Sequence, residues 1–205
     1  YHSSDVVCDK KEMKKTAPPK LVDLASLSSA IVPKGYTAKE VSDVYQKLYT
    51  QQVVSYPRTE DKFISPEQFN DLLPLVDKIA AVVGVDTALL THRSPRKTHV
   101  KAGGAHGANR PGPNVPKSLD QLESAFGPCA VEIYTILAKN TLAMFAEDYE
   151  YESQKGHVKD YPKFVGTASV PKFAGWKAVY SDVSADDDDA DDSSNGLGTV
   201  ADPYI

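Results

Sequence analysis

Residues 37–61 read TAKEVSDVYQKLYTQQVVSYPRTED, and two patterns follow one another within them. Thr37 with Glu40 three residues on has the form of a capping box, the sequence mark of a helix start. Val41, Val44, Tyr45, Leu48 and Tyr49 then recur at three- and four-residue spacing. That spacing predicts a helix from about Ala38 to Gln51 with one buried face. After the apolar pair Val53-Val54 the periodicity breaks at Ser55-Tyr56-Pro57-Arg58-Thr59-Glu60-Asp61. Pro57 fixes one backbone dihedral and biases Tyr56 towards an extended conformation, so Tyr56 and Arg58 can be presented together at a surface. Taken alone, the tetrad Tyr56-Pro57-Arg58-Thr59 is explained more simply as a surface tyrosine followed by a loop arginine.

Working outward, Ser65-Pro66-Glu67-Gln68 offers an N-cap, a proline at the first helical position and a capping partner, with Phe69, Leu72, Leu73 and Val76 at helical spacing. Pro74 removes a backbone donor inside that pattern and predicts a kink or break near Leu73, with a second helical stretch onward to Val83. Ser118 with Gln121 predicts another box and a short helix. Gly127-Pro128 opens a longer one, with Val131, Tyr134, Leu137, Ala138, Thr141, Leu142 and Phe145 on one side. After Asp148 the period changes to two: Tyr149 and Tyr151 alternate with Glu150 and Glu152, and β-branched or aromatic residues recur in Phe164–Val170 and Trp176–Tyr180. These read as strands. Three strands make a marginal sheet alone, which suggests the edge of a larger β structure. The fold class expected is α+β, a mainly helical domain followed by antiparallel β-strands of an incomplete second domain.

Composition excludes several classes. The chain has 205 residues, 41% of them hydrophobic, and no apolar run approaching a membrane span; no membrane partner and a cytoplasmic location are expected. Cys8 and Cys129 lie far apart, one in a polar lysine-rich leader and one in an apolar stretch, without metal-ligand or disulfide spacing. The formal charge of −5 is carried by the run Asp186–Asp189 with Asp191 and Asp192; without it 22 acidic residues face 23 Lys and Arg. That run continues into Ser193, Ser194, Asn195 and Gly196 and reads as a solvated loop, or else as a nucleic-acid mimic. Between Thr87 and Lys117 there is no Asp or Glu, yet Arg93, Arg96, Lys97, Lys101, Arg110 and Lys117 occur together with His92, His99 and His106. Such a segment can follow a phosphate backbone, although basic loops also keep surfaces hydrated.

In order and spacing, Leu21-Val22-Asp23-Leu24-Ala25-Ser26-Leu27, Thr37-Ala38-Lys39-Glu40-Val41, Gln46-Lys47-Leu48-Tyr49 and Val54–Asp61 together resemble the type IA DNA topoisomerases. Ala105-His106-Gly107-Ala108-Asn109-Arg110-Pro111 is similar to that family's histidine block, and Phe164–Tyr180, with Gly175-Trp176, to its β-arch. The resemblance covers about Pro19–Tyr180. Four positions depart from it. Glu60-Asp61 stands where Asp-Ser is common, Gly107 where an acidic residue is usual, and Asn109 where an apolar one is usual.

The resemblance implies a fragment with a leader or start of the arch in residues 1–18, a helical catalytic-tyrosine domain in 19–148, a β segment of the arch in 149–183 and an acidic tail in 184–205. It implies that Tyr56 attacks a phosphodiester of single-stranded DNA, leaving a 5′-phosphotyrosine link and a free 3′-hydroxyl. Tyrosine is a poor nucleophile at its ordinary pKa of ~10 and needs nearby positive charge, a demand Arg58 fits. His106 and Arg110 are implied to meet the DNA backbone, with Arg93, Arg96, Lys97 and Lys101 as further DNA contacts; His106 also reads as a loop histidine capping a turn. The family's Mg²⁺ domain has no counterpart here. The expected metal ligands within the chain are none, and the fragment is expected to be inert alone, with the metal-binding domain and single-stranded DNA as partners at the nucleoid. Chain order argues against a tyrosine recombinase, since Tyr56 precedes Arg93, His106 and Arg110. Two alternatives stay open: a non-catalytic single-stranded nucleic-acid binding module, and an interaction protein that uses its acidic tail.

Overall fold

In the computed structural model, which describes residues 3–181 and 199–201, the Thr37 hydroxyl accepts a hydrogen bond from the Glu40 amide at 3.1 Å. A helix over Ala38–Thr50, α2, follows from that cap and buries Val41, Val44, Tyr45 and Leu48. The acidic run at 186–192 lies outside the described residues. The chain is α+β and divides into two compact units, one of residues 1–17, 148–175 and 182–205, the other of 18–147 and 176–181.

The second unit is helical. Besides α2 it holds α1 (Leu24–Ile31), α3 (Pro66–Leu72), α4 (Val76–Val82), α5 (Leu119–Phe126) and α6 (Pro128–Ala143). Asp23 caps α1 by accepting from Ser26. Ser65 and Gln68 close a reciprocal capping box on α3, and Pro74 turns residues 73–75 into a short 3-10 segment that separates α3 from α4. Thr37 and Ser118 cap their helices without the reciprocal bond: Gln121 Oε1 accepts from the Lys117 backbone amide instead. Helix α6 is the hub, packing against α1, α2, α4 and α5. Ile133, Tyr134, Leu137, Ala138 and Leu142 on it are wholly buried, each large side chain stabilising the unit by roughly 1.5–3 kcal/mol.

The first unit is an antiparallel sheet of order β3-β2-β1-β4, made of β1 (Ser3–Thr16), β2 (Tyr149–Val158), β3 (Tyr161–Phe173) and the short β4 (Thr199–Ala201). Strand β1 pairs with β2 from Val6↔Val158 to Thr16↔Tyr149, with a bulge between Cys8 and Lys10. Cross-strand ion pairs Lys15–Glu150 and Lys11–Glu152 decorate it; at this exposure each is worth little.

The residues read as a lysine-rich leader or the start of the arch form strand β1, whose backbone pairs with β2 while most of its side chains stay exposed. One expectation is corrected. Trp176–Tyr180 is not a strand: residues 175–179 form a 3-10 segment whose Val179 is wholly buried in the helical unit's core, with Trp176 packed against it. Its aromatic and β-branched composition reports burial, which a helical turn satisfies as well as a strand.

Candidate functional site

Two segments fifty positions apart in sequence run side by side in the helical unit. Ser55 N donates to Arg110 O at 2.9 Å and Gly112 N to Val53 O at 2.8 Å, with a bridge between Val54 and Pro111. Further along, Ala108 N donates to Phe63 O and Ile64 N to His99 O. This pairing brings the Tyr56 loop and the His106 loop together. The Tyr56 ring, half-buried, lies 4.5 Å from the His106 ring and 5.5 Å from the Tyr49 ring, centroid to centroid. Pro57 is buried and Arg58 exposed. Among the described residues, no protein group hydrogen-bonds the Arg58 guanidinium or the His106 ring.

A polar layer supports the Tyr56 loop. Asn109, wholly buried, donates its Nδ2 to the Tyr56 carbonyl at 3.0 Å and to the Tyr45 hydroxyl at 2.7 Å. Its Oδ1 has no hydrogen-bond partner among the described residues. Burial pushes the Tyr45 phenol up to about 12, while hydrogen bonds to Ser55 and Asn109 act the other way, so Tyr45 stays protonated and structural. Ser55 Oγ accepts from the Arg110 amide at 3.0 Å. The His106 loop is fastened separately: Asp61 Oδ2 accepts from the Gly107 amide at 3.0 Å, and Gln68 Nε2 donates to His106 O at 3.0 Å.

The basic residues divide by what they touch. Arg110 is half-buried, its Nη1 on the Ala108 carbonyl at 3.0 Å, and burial lowers its pKa from the usual arginine range. Arg93 pairs with Asp77 at 2.6 Å and donates to Leu90 O. Arg96 donates to the carbonyls of Met144 and Ala146 just past the end of α6, where it meets the unsatisfied carbonyls of a helix C-terminus. Both arginines thus have partners inside the protein. Lys97 and Lys101 are exposed, with the Lys101 ammonium 4.2 Å over the Phe63 ring. His99 is wholly buried between Pro19 O and Thr98 Oγ1, each at 2.8 Å, and burial lowers its pKa. Sequence reading alone gave Asn109, Tyr45, Asp61 and Gln68 no place in the site, since the contacts Asn109–Tyr45, Asp61–Gly107 and Gln68–His106 span 38 to 64 positions.

Among the described residues there is no group of three or more His, Cys, Asp or Glu placed to hold a metal ion, and no helix long and apolar enough to cross a membrane. The carboxylate that does approach the site, Asp61, is turned to backbone amides. The described residues around Tyr56 do not fit a Mg²⁺ site.

A family model described as DNA topoisomerase matches residues 2–199. The chain belongs to this family, the type IA DNA topoisomerases. Similar sequences include proteins named DNA topoisomerase 3 from Bacillus thuringiensis (strain Al Hakam), 31% identical over 96% of this chain and 27% of that protein, and from Bacillus subtilis (strain 168), 29% identical over 92% of this chain and 26% of that protein. The type IA chain therefore spans about a quarter of the length of the curated relatives it matches. Its fold is shared with full-length topoisomerase I from Thermotoga maritima, at a TM-score of 0.56 and 21% identity, over 87% of this chain and 30% of that one.

Proposed function

We propose that the helical unit bears the strand-cutting nucleophile of a type IA topoisomerase and that this nucleophile is Tyr56. The observation that carries the reading is the 4.5 Å approach of the Tyr56 and His106 rings, brought about by two segments that the fold zips together. Tyr56 Oη bonds to phosphorus in a single-stranded DNA phosphodiester. The P–O3′ bond breaks, the 3′ oxygen leaves as a hydroxyl after taking up a proton, and the phenolic proton passes to a base outside this chain or to solvent. One phosphoester replaces another, so the reverse reaction reseals the strand without an external energy source.

Arg58, exposed and without a hydrogen-bond partner among the described residues, holds the phosphate oxygens as charge builds on them. His106 hydrogen-bonds the phosphate or a base beside the cut. Lys97 and Lys101 add electrostatic attraction along the strand, and Arg110 shapes the floor of the site. Mg²⁺, with the acid–base carboxylates that accompany it, is assigned to a separate domain of the same polypeptide. The chain alone is expected not to relax DNA.

The test is a cleavage assay with 5′- and 3′-labelled single-stranded DNA, Mg²⁺ and a separately expressed metal-binding domain of the family, quenched with detergent. A protein-linked 5′ end that needs both the partner domain and Tyr56 supports the reading. DNA that is bound but never covalently linked, with Tyr56→Phe indistinguishable from wild type, would mean a non-catalytic binding module.

A further inference from the structure

We propose that Asp61 is a positioning residue for His106, holding the histidine against the nucleophile through the backbone of its loop, a role that depends on the reading of Tyr56 and His106 given above. Asp61 stands five positions after Tyr56 on the same loop. Its Oδ2 accepts from the Gly107 amide at 3.0 Å and, at longer range, from the His106 amide at 3.4 Å. From the opposite side Gln68 Nε2 donates to His106 O at 3.0 Å, while its Oε1 accepts from Ser65 N at 3.0 Å. Both backbone polar groups of His106 are thereby held, the N–H by the nucleophile's own loop and the carbonyl by the first turn of α3.

The His106 side chain has no hydrogen bond of its own among the described residues, so its place beside Tyr56 is set by where the main chain puts it. Two glycines leave room for the clasp. A Cβ on Gly104 would sit 2.6 Å from Asp61 Oδ2, and one on Gly107 would sit 2.2 Å from Gln68 Oε1. Both glycines also have positive φ, 81° and 71°, where a side chain is strained. Positions 61, 68, 104 and 107 therefore form one device: the carboxylate and the carboxamide reach the loop only because the loop has no side chains there. The device ties the two halves of the site to each other, so a displacement of the Tyr56 loop carries His106 with it.

The experiment measures binding of a fluorescein-labelled single-stranded oligodeoxynucleotide to the 205-residue chain by anisotropy, together with the nuclear Overhauser contact between the Tyr56 and His106 rings. Asp61→Ala is expected to lose that ring contact and to weaken binding about fivefold, the size of one lost hydrogen bond. Asp61→Asn keeps an acceptor and should retain the contact and bind at least as tightly as wild type. In a His106→Ala background, Asp61→Ala should weaken binding no further. An intact ring contact with unchanged affinity in Asp61→Ala, or losses that add in full in the double variant, would overturn the proposal. If both Asp61 variants bind more tightly, the residue acts only by its charge and the proposal also fails. Should His106→Ala bind DNA like wild type, the reading of the DNA site is what fails, and the ring contact still judges the clasp. If circular dichroism shows Asp61→Ala unfolded, Gln68→Ala, which frees the His106 carbonyl instead, is judged by the same criteria.

Discussion

Asn109 donates its side-chain amide to the Tyr45 hydroxyl across 2.7 Å, with both residues wholly buried. The same nitrogen also reaches the Tyr56 carbonyl at 3.0 Å, so one amide joins helix α2 to the loop of the proposed nucleophile. Asn109→Leu, which installs the apolar character more usual in the family, is expected to destabilise the chain by about 1–3 kcal/mol, because two buried acceptors lose their donor. Urea denaturation measures this. Combined with Tyr45→Phe, the loss should be smaller than the sum of the two single losses, since the pair is then removed together.

His99 makes stability depend on pH. Its folded pKa lies below 6.5, chiefly from burial, with the Arg96 charge acting in the same direction and the Pro19 carbonyl against it. The unfolded chain therefore binds the proton more readily. Stability is complete above the unfolded value and falls as pH drops below 6.5 towards the folded value. Melting temperatures recorded from about pH 8 down to about pH 5 should decline in wild type. In His99→Gln they should start lower and decline less steeply.

Arg96 and Lys97 are neighbours in sequence with opposite expected phenotypes. Arg96→Ala removes charged donors from the Met144 and Ala146 carbonyls and should cost about 2 kcal/mol of stability while leaving the salt dependence of DNA binding as it was. Lys97→Ala should change stability by less than about 0.5 kcal/mol but reduce the slope of log affinity against log salt by about one. Parallel denaturation and salt titrations separate the two roles.

Gly112 is packed against main chain rather than a movable side chain. A Cβ there would lie 2.3 Å from the Gln52 carbonyl oxygen, and Gln52 itself is held at a φ of 57°. Gly112→Ala is expected to destabilise by about 2 kcal/mol or more, as overpacking does where the neighbour cannot yield. Loss of the Gly112 N to Val53 O bond should appear as faster amide exchange at that position.

The helices were legible because their signals are local. Caps at Thr37, Ser65 and Ser118, the break at Pro74 and the buried stripe of α2 depend on residues within one or two turns, and each is found in the structure. The two segments that meet around Tyr56 stood out in the sequence by motif resemblance, but which of their side chains turn inward and which face solvent did not. Nothing local distinguishes Arg96, on helix-end carbonyls, from Lys97, in solvent. Gly107 and Asp61, two departures from the family pattern, proved to be in contact at 3.0 Å, a relation that no spacing rule connects over 46 positions. Strand β1 was missed as a strand because its partner lies more than 130 residues downstream, and Val179 was given the wrong conformation because apolar content records burial, not geometry.

The return of residues 176–181 to the helical unit also governs the order of events during synthesis. Helices α1 to α6 leave the ribosome before β2 and β3, but Val179, wholly buried in their core, emerges only after both strands have been made. At roughly 5–20 residues per second, the nascent helical unit waits on the order of seconds with that seat open. Messages truncated within the sheet would thus yield a helical unit with an apolar notch still facing water, the kind of surface that chaperones and proteases recognise.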